Sequence, residues 1–136
     1  MVDAIENEYA KLETFKPIFL KITPDESHET IENISNLIES SLLSGLIVSN
    51  TTLDKSSLDK SKKNLEGGVS GAPLMKKSTE MIEKISAKHP SMPIIGVGGV
   101  LKKDDFLKKI EFGASLVQIY SGFIIKGPKI VNEILQ

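Results

Sequence analysis

"LVQIYSGFIIKGP", residues 116–128, is the stretch whose reading decides the fold. An apolar run finishes in Tyr120-Ser121-Gly122 and then continues to a Lys126-Gly127-Pro128 turn. That is either the end of an ordinary buried strand or half of a surface that holds a phosphate. The second reading needs another glycine-rich strand end beside it. "PIIGVGG" (93–99) supplies one, because its apolar run also finishes on glycines, Gly98 and Gly99. Between the two runs, Phe106, Leu107 and Ile110 space a short helix ending at Gly113, a residue suited to a C-cap.

The same alternation continues upstream. "GLIVSN" (45–50) and "PIFLKITPD" (17–25) read as strands, the second bounded by Pro17 and Pro24. Period two puts Phe19, Lys21 and Thr23 on one face of that strand, with Ile18, Leu20 and Ile22 on the other. A helix follows, N-capped by Asp25 or Ser27, with Ile31, Ile34, Leu37, Ile38 and Leu42 on its apolar side. The polar stretch from Thr51 to Gly71 is long for a connection, so it reads as either functional or disordered. Pro73 opens a helix carrying Leu74, Met81, Ile82 and Ile85, and Pro128 opens a last one with Ile130, Val131, Ile134 and Leu135. At the start, Val2, Ile5, Tyr9 and Leu12 share one helical face.

Apolar strands alternating with amphipathic helices indicate a parallel sheet covered by helices. Two closures remain open: a doubly wound sheet, or part of a (β/α)8 barrel. A whole barrel takes about 200 residues or more, and this chain has 136. No cap precedes Val2 and none follows the last helix, so both ends are expected to fall inside helices. The expected fold is therefore α/β, the C-terminal half of a (β/α)8 TIM barrel, with four parallel strands alternating with helices. Residues 1–136 would form a single partial domain.

Composition excludes several functions. The formal net charge of −1 provides no field to gather nucleic acid or an anionic membrane. With no cysteine, disulfides, thiolate metal sites and cysteine nucleophiles are ruled out. No apolar run approaches the ~20 residues of a membrane helix, and "MVDAIENEYA" is too acidic for a signal peptide. No metal-ligand spacing or serine–histidine–acid set is present. His28 and His89 fall in helix-flanking turns and are expected to be solvated, and "KKDDFLKK" (102–109) is expected to be an exposed helix face.

Parallel α/β folds bind ligands at the C-terminal ends of their strands. Read together, those ends are Lys21-Ile22-Thr23-Pro24, Ser49-Asn50-Thr51-Thr52, Gly96-Val97-Gly98-Gly99 and Tyr120-Ser121-Gly122. In barrels the last two strand loops often bind phosphate through backbone N–H groups, which glycines leave accessible. Each signal alone has an ordinary reading: a turn glycine, a lysine reaching water, an Asn-Thr turn. Their common location is what distinguishes them.

The blocks "PIFLKITPD", "GLIVSNTTLD", "GGVSGAPL", "STEMI", "PIIGVGGV" and "GASLVQIYSGFIIKGP" resemble, in order and spacing, the C-terminal half of class 2 dihydroorotate dehydrogenases. Those are FMN-containing, quinone-reducing enzymes of pyrimidine synthesis, and the likeness runs from about Pro17 to the end. The resemblance implies that Lys21 lies near the flavin ring, where its charge stabilises the reduced form, and that Ser49 hydrogen-bonds the flavin region. Asn50 and Thr51 would bind dihydroorotate or orotate. Gly71, Gly99, Tyr120 and Ser121 would hold FMN, the last three around its phosphate. The class 2 base is a serine on a loop after the fourth barrel strand, which would precede this sequence, as would the quinone site. None of Ser27, Ser35, Ser40 and Ser41 matches its motif, so no catalytic base is expected in this chain.

Three readings follow. The chain is part of a quinone-dependent dihydroorotate dehydrogenase; or it is a non-catalytic FMN- or phosphate-binding half-barrel; or it is part of another FMN-dependent, phosphate-binding TIM-barrel enzyme. The expected partners are dihydroorotate and orotate, a quinone bound outside this chain, and either the missing N-terminal half-barrel or a second copy. The parent protein is expected to be cytoplasmic and peripheral on the inner membrane.

Overall fold

The structure, a computed structural model, describes residues 2–136, with the side chains of residues 2, 3, 28, 35, 39 and 40 outside that description. Expectations for Met1 and for the side chains of Val2, His28, Ser35 and Ser40 therefore fall outside the described residues. Strands β1 (Ile18–Ile22), β2 (Leu43–Val48), β3 (Ile94–Val97) and β4 (Leu116–Gln118) make one parallel sheet in the order β1-β2-β3-β4. Helices α1 (Val2–Tyr9), α2 (His28–Ser40), α3 (Leu74–Lys88), α4 (Lys103–Glu111), α5 (Ser121–Lys126) and α6 (Lys129–Leu135) complete the chain. The strand order decides between the two closures. A doubly wound sheet reverses its order at a switch point, whereas strands that always step to the same side trace a barrel wall. These four strands form half of an α/β barrel.

One sheet face is packed and the other is not. Ile22, Leu46, Val48 and Ile94 join Ile38 of α2 and Met81, Ile82 and Ile85 of α3 in a buried cluster. A smaller cluster of Val100, Ile130 and Ile134 seats α6. On the opposite face the ladders align Lys21 with Ile47, Ile47 with Ile95, Ile95 with Leu116, and Val97 with Gln118. Lys21 and Gln118 are exposed there, and Leu116 is 63% exposed. This is the face a closed barrel buries against its own far wall.

Several local expectations change. The opening stretch holds only three strand residues, and "SGFIIK" is the helix α5 instead of more strand. Its first turn starts at Ser121, so the chain folds back immediately at the rim. β2 begins two residues before Gly45, and Leu42, given to the apolar side of α2, lies beyond that helix and is 48% exposed. Leu12 likewise lies past α1 and is exposed. Ser27, not Asp25, caps α2, its side chain accepting from the Thr30 N–H at 3.1 Å. His89 is buried, not solvated. "KKDDFLKK" is not uniformly exposed either: its last residue, Lys109, is wholly buried.

Candidate functional site

The C-terminal ends of the four strands surround a cavity of about 250 Å³. Its walls include Lys21 from β1; Ser49, Asn50 and Thr51 after β2; Gly71 from the long loop; Gly99 after β3; and Tyr120 and Ser121 after β4. All eight residues singled out in the sequence therefore meet at one place, with none left on another face of the molecule.

Each arrives there for a local reason. Lys21 shares the parity of Phe19, so its side chain points away from the helices, as does the exposed face of the sheet. Among the described residues its ammonium has no ion pair and no hydrogen-bond acceptor. It is an uncompensated cation at the rim.

The turn after β2 is held by its backbone. The Ser49 N–H donates to Val97 O at 3.1 Å and the Asn50 N–H to Ile22 O at 2.8 Å, extending both ladders past the named strands. Ser49 is buried, and its hydroxyl donates to Asn50 O at 2.9 Å. What it can offer a ligand is its oxygen. Asn50 Oδ1 accepts from the Thr51 N–H at 2.9 Å, which leaves the amide nitrogen and the exposed Thr51 side chain facing the opening.

The long loop is ordered at its base. Thr52 and Val69 exchange backbone hydrogen bonds of 3.1 and 2.7 Å, so residues 53–68 leave and return at one point and Gly71 is delivered to the rim. The base of this loop is pinned by Asp25. Its Oδ2 accepts from the Leu53 N–H at 2.7 Å, and its Oδ1 accepts from the Thr52 hydroxyl and from Lys77 of α3. Burial works against the Asp25 carboxylate, but the hydrogen bonds from Lys77, Thr52 and Leu53 outweigh it and hold its pKa below the usual aspartate value. Sequence reasoning missed this knot. The signal was present in "TPD" and "NTTLD", where a strand-exit carboxylate meets a threonine at a neighbouring strand exit.

The last two strand ends form a glycine-lined shelf. Gly99 has φ +79°, and a Cβ there would stand 2.4 Å from the Met75 Cβ, so no other residue fits. Gly122 lies against Val100 O, which a Cβ would approach to 2.4 Å, so the two strand ends touch backbone to backbone. The Ser121 hydroxyl donates to Ser70 Oγ at 3.1 Å, tying the shelf to the long loop. Among the described residues, the N–H groups of Gly98, Gly99, Ser121 and Gly122 donate to no protein acceptor. Unpaired backbone donors from residues that line one cavity, with no carboxylate in its wall, suit an anion.

Comparison with known proteins places the chain in a family. Residues 3–136 match the family model described as dihydroorotate dehydrogenase. The chain is 45% identical over 122 residues to the dihydroorotate dehydrogenase (quinone) of Christiangramia forsetii, and 42% identical over 121 residues to that of Dichelobacter nodosus. These alignments cover 89% and 88% of this chain but only 36% of each relative. Among solved structures, ligand-free DHODH from Eimeria tenella superposes with a TM-score of 0.88 at 32% identity, covering 98% of this chain and 42% of that one. The same protein in complex with ferulenol gives 0.87 at 30% identity. The chain spans little more than a third of the length of the curated relatives it matches. With a family match across nearly every residue and both of these curated relatives of the quinone type, it belongs to the dihydroorotate dehydrogenase family, alongside the quinone-dependent members.

Proposed function

We propose that this chain is the flavin-clasping C-terminal half-barrel of an enzyme that oxidises dihydroorotate to orotate with a quinone as final acceptor. The observation that carries the proposal is the convergence of Lys21, Asn50, Gly99 and Ser121, with the other four motif residues, on one cavity at the strand ends. The residues fit FMN. A glycine shelf with unpaired N–H groups matches its phosphate, and a lone ammonium matches the end of its ring that becomes anionic.

FMN, when bound, supplies the two-electron chemistry between dihydroorotate and quinone. Gly99, Tyr120 and Ser121 would hold its phosphate through main-chain donors, with Gly71 and Ser49 completing the cradle. Lys21 would stabilise negative charge on the reduced cofactor, a fixed electrostatic contribution made by a side chain that no carboxylate among the described residues neutralises. Asn50 and Thr51 would orient dihydroorotate, since an amide and a hydroxyl together can donate and accept along its ring edge. The general base would come from outside this chain, as would the quinone site. No helix among the described residues is long and apolar enough to cross a membrane. We assign the parent protein a peripheral position at the inner membrane, where its quinone partitions.

Complementation tests this. The chain alone is expected to show no dihydroorotate-dependent quinone reduction, because a missing general base removes about 10²–10⁴-fold. Co-expression with the N-terminal portion of the Christiangramia forsetii relative is expected to restore it, and Asn50→Ala to abolish the restored activity. Turnover by the chain alone, or restored turnover indifferent to Asn50→Ala, would contradict the assignment.

A further inference from the structure

The most unusual buried group in the molecule lies outside the cavity. Lys109 of α4 is wholly buried, yet among the described residues it has no carboxylate within ion-pairing distance. Its ammonium donates to the Ser78 hydroxyl at 2.8 Å and to the Thr79 hydroxyl at 3.2 Å, both on α3. A buried cation is costly, and an apolar side chain of similar volume would fill the same space without that cost. What sets the lysine apart from such a side chain is that it donates hydrogen bonds.

What it can do is impose a direction. A lysine ammonium has donors and no acceptor, so the Ser78 oxygen must accept from Lys109 and its own proton must go elsewhere. The acceptors in reach are Met75 O at 3.2 Å, within the same helix, and Gly98 O at 3.3 Å, on the shelf. Gly98 and Gly99 share one peptide unit, and in a trans peptide the C=O and N–H point opposite ways. Holding Gly98 O toward Ser78 therefore turns the unpaired Gly99 N–H away from the helices, toward the cavity that both glycines line. The first glycine of "GVGG" is packed against the same stem: a Cβ on Gly96 would stand 3.0 Å from the Ile82 Cδ1, 3.1 Å from the Ala114 Cβ and 3.2 Å from the Lys109 Cδ.

We propose that Lys109 is a positioning residue for phosphate binding, acting through Ser78 to aim the Gly98–Gly99 peptide at the phosphate tail of the bound nucleotide. The proposal rests on the FMN reading given above. It assigns the lysine no contact with the cofactor.

The test compares FMN with riboflavin, which has the same ring and no phosphate, by quenching of flavin fluorescence on the wild-type chain, Lys109→Met and Ser78→Ala. The wild type is expected to bind FMN more tightly than riboflavin. Both variants are expected to raise the FMN dissociation constant about tenfold while leaving riboflavin unchanged, so the preference for the phosphate falls about tenfold. An unchanged preference in a variant with a cooperative thermal transition would overturn the proposal, as would equal weakening of both ligands, which would mark Lys109 as a fold-holding residue only. If Lys109→Met does not fold, Ser78→Ala decides alone, because it removes only one hydroxyl. A wild type with no preference for FMN over riboflavin would instead sink the FMN reading, and this proposal with it.

Discussion

At the scale of single residues, the site depends on what is absent from a side chain as much as on what is present. Gly99→Ala is expected to cost about 2–5 kcal/mol, combining a left-handed backbone with a Cβ driven into Met75. Gly67→Ala also has a positive φ but meets nothing within 4 Å, so it should cost only the backbone strain, about 1 kcal/mol. Urea unfolding of the two variants separates crowding from conformation, and equal losses would contradict it. Lys109 gives a signed prediction with pH. Burial lowers its pKa to about 8, against the smaller opposing influence of Asp105. Between about pH 8 and 10.5 the unfolded chain holds this proton while the folded chain has lost it, so stability rises with pH there, by at most about 1.4 kcal/mol per unit. Denaturant midpoints should climb over that window in the wild type and stay flat in Lys109→Met. Parallel profiles would mean the lysine does not titrate as its surroundings require.

At the scale of elements, the knot of Asp25, Thr52 and Lys77 joins the exits of β1 and β2 to α3. Asp25 has a folded pKa below its ordinary 3.8, so its contribution is complete above that value and is lost as pH falls through the lower folded pKa. Asp25→Asn should therefore be destabilising at pH 7 and indistinguishable from wild type at the acid end of an unfolding series. A constant difference at every pH would refute the assignment. Much of the element plan was legible in the sequence. Short apolar runs bounded by proline, glycine or polar residues located β1, β2 and β3, and the 3.6 spacing of Met81, Ile82 and Ile85 located the buried face of α3. α5 was not legible, because "FIIK" continues an apolar run and a six-residue helix has too little length to show a period. The sequence left Asp25 and Ser27 as alternative caps because a local capping rule cannot weigh the long-range partners that occupy Asp25. Lys109 was hidden by its charge, since lysine is almost never wholly buried.

At the scale of the molecule, the strand order β1-β2-β3-β4 leaves two unpaired edges, and the inner face exposes Leu116 beside half-buried Ile47 and Ile95. Open edges beside an apolar face recruit further strands. The chain studied alone is therefore expected to self-associate in analytical ultracentrifugation, and to do so less when the complementary N-terminal part is supplied. A stable monomer at every concentration would contradict the open half-barrel. The site was easier to read than its scaffold for a general reason. Parallel α/β folds gather their strand exits at one rim, so four unremarkable tips became informative once they shared it. The hydrogen bonds that aim those tips depend on tertiary packing, and only the folded molecule displays them.

The account stands or falls on whether that rim clasps a flavin nucleotide. The most direct measurement is a map of backbone amide chemical shifts on titration with FMN. The predicted result is a set of saturable changes concentrated at Lys21, Asn50, Gly71, Gly99 and Ser121. Changes centred on the outer helices, or none at millimolar FMN, would contradict it.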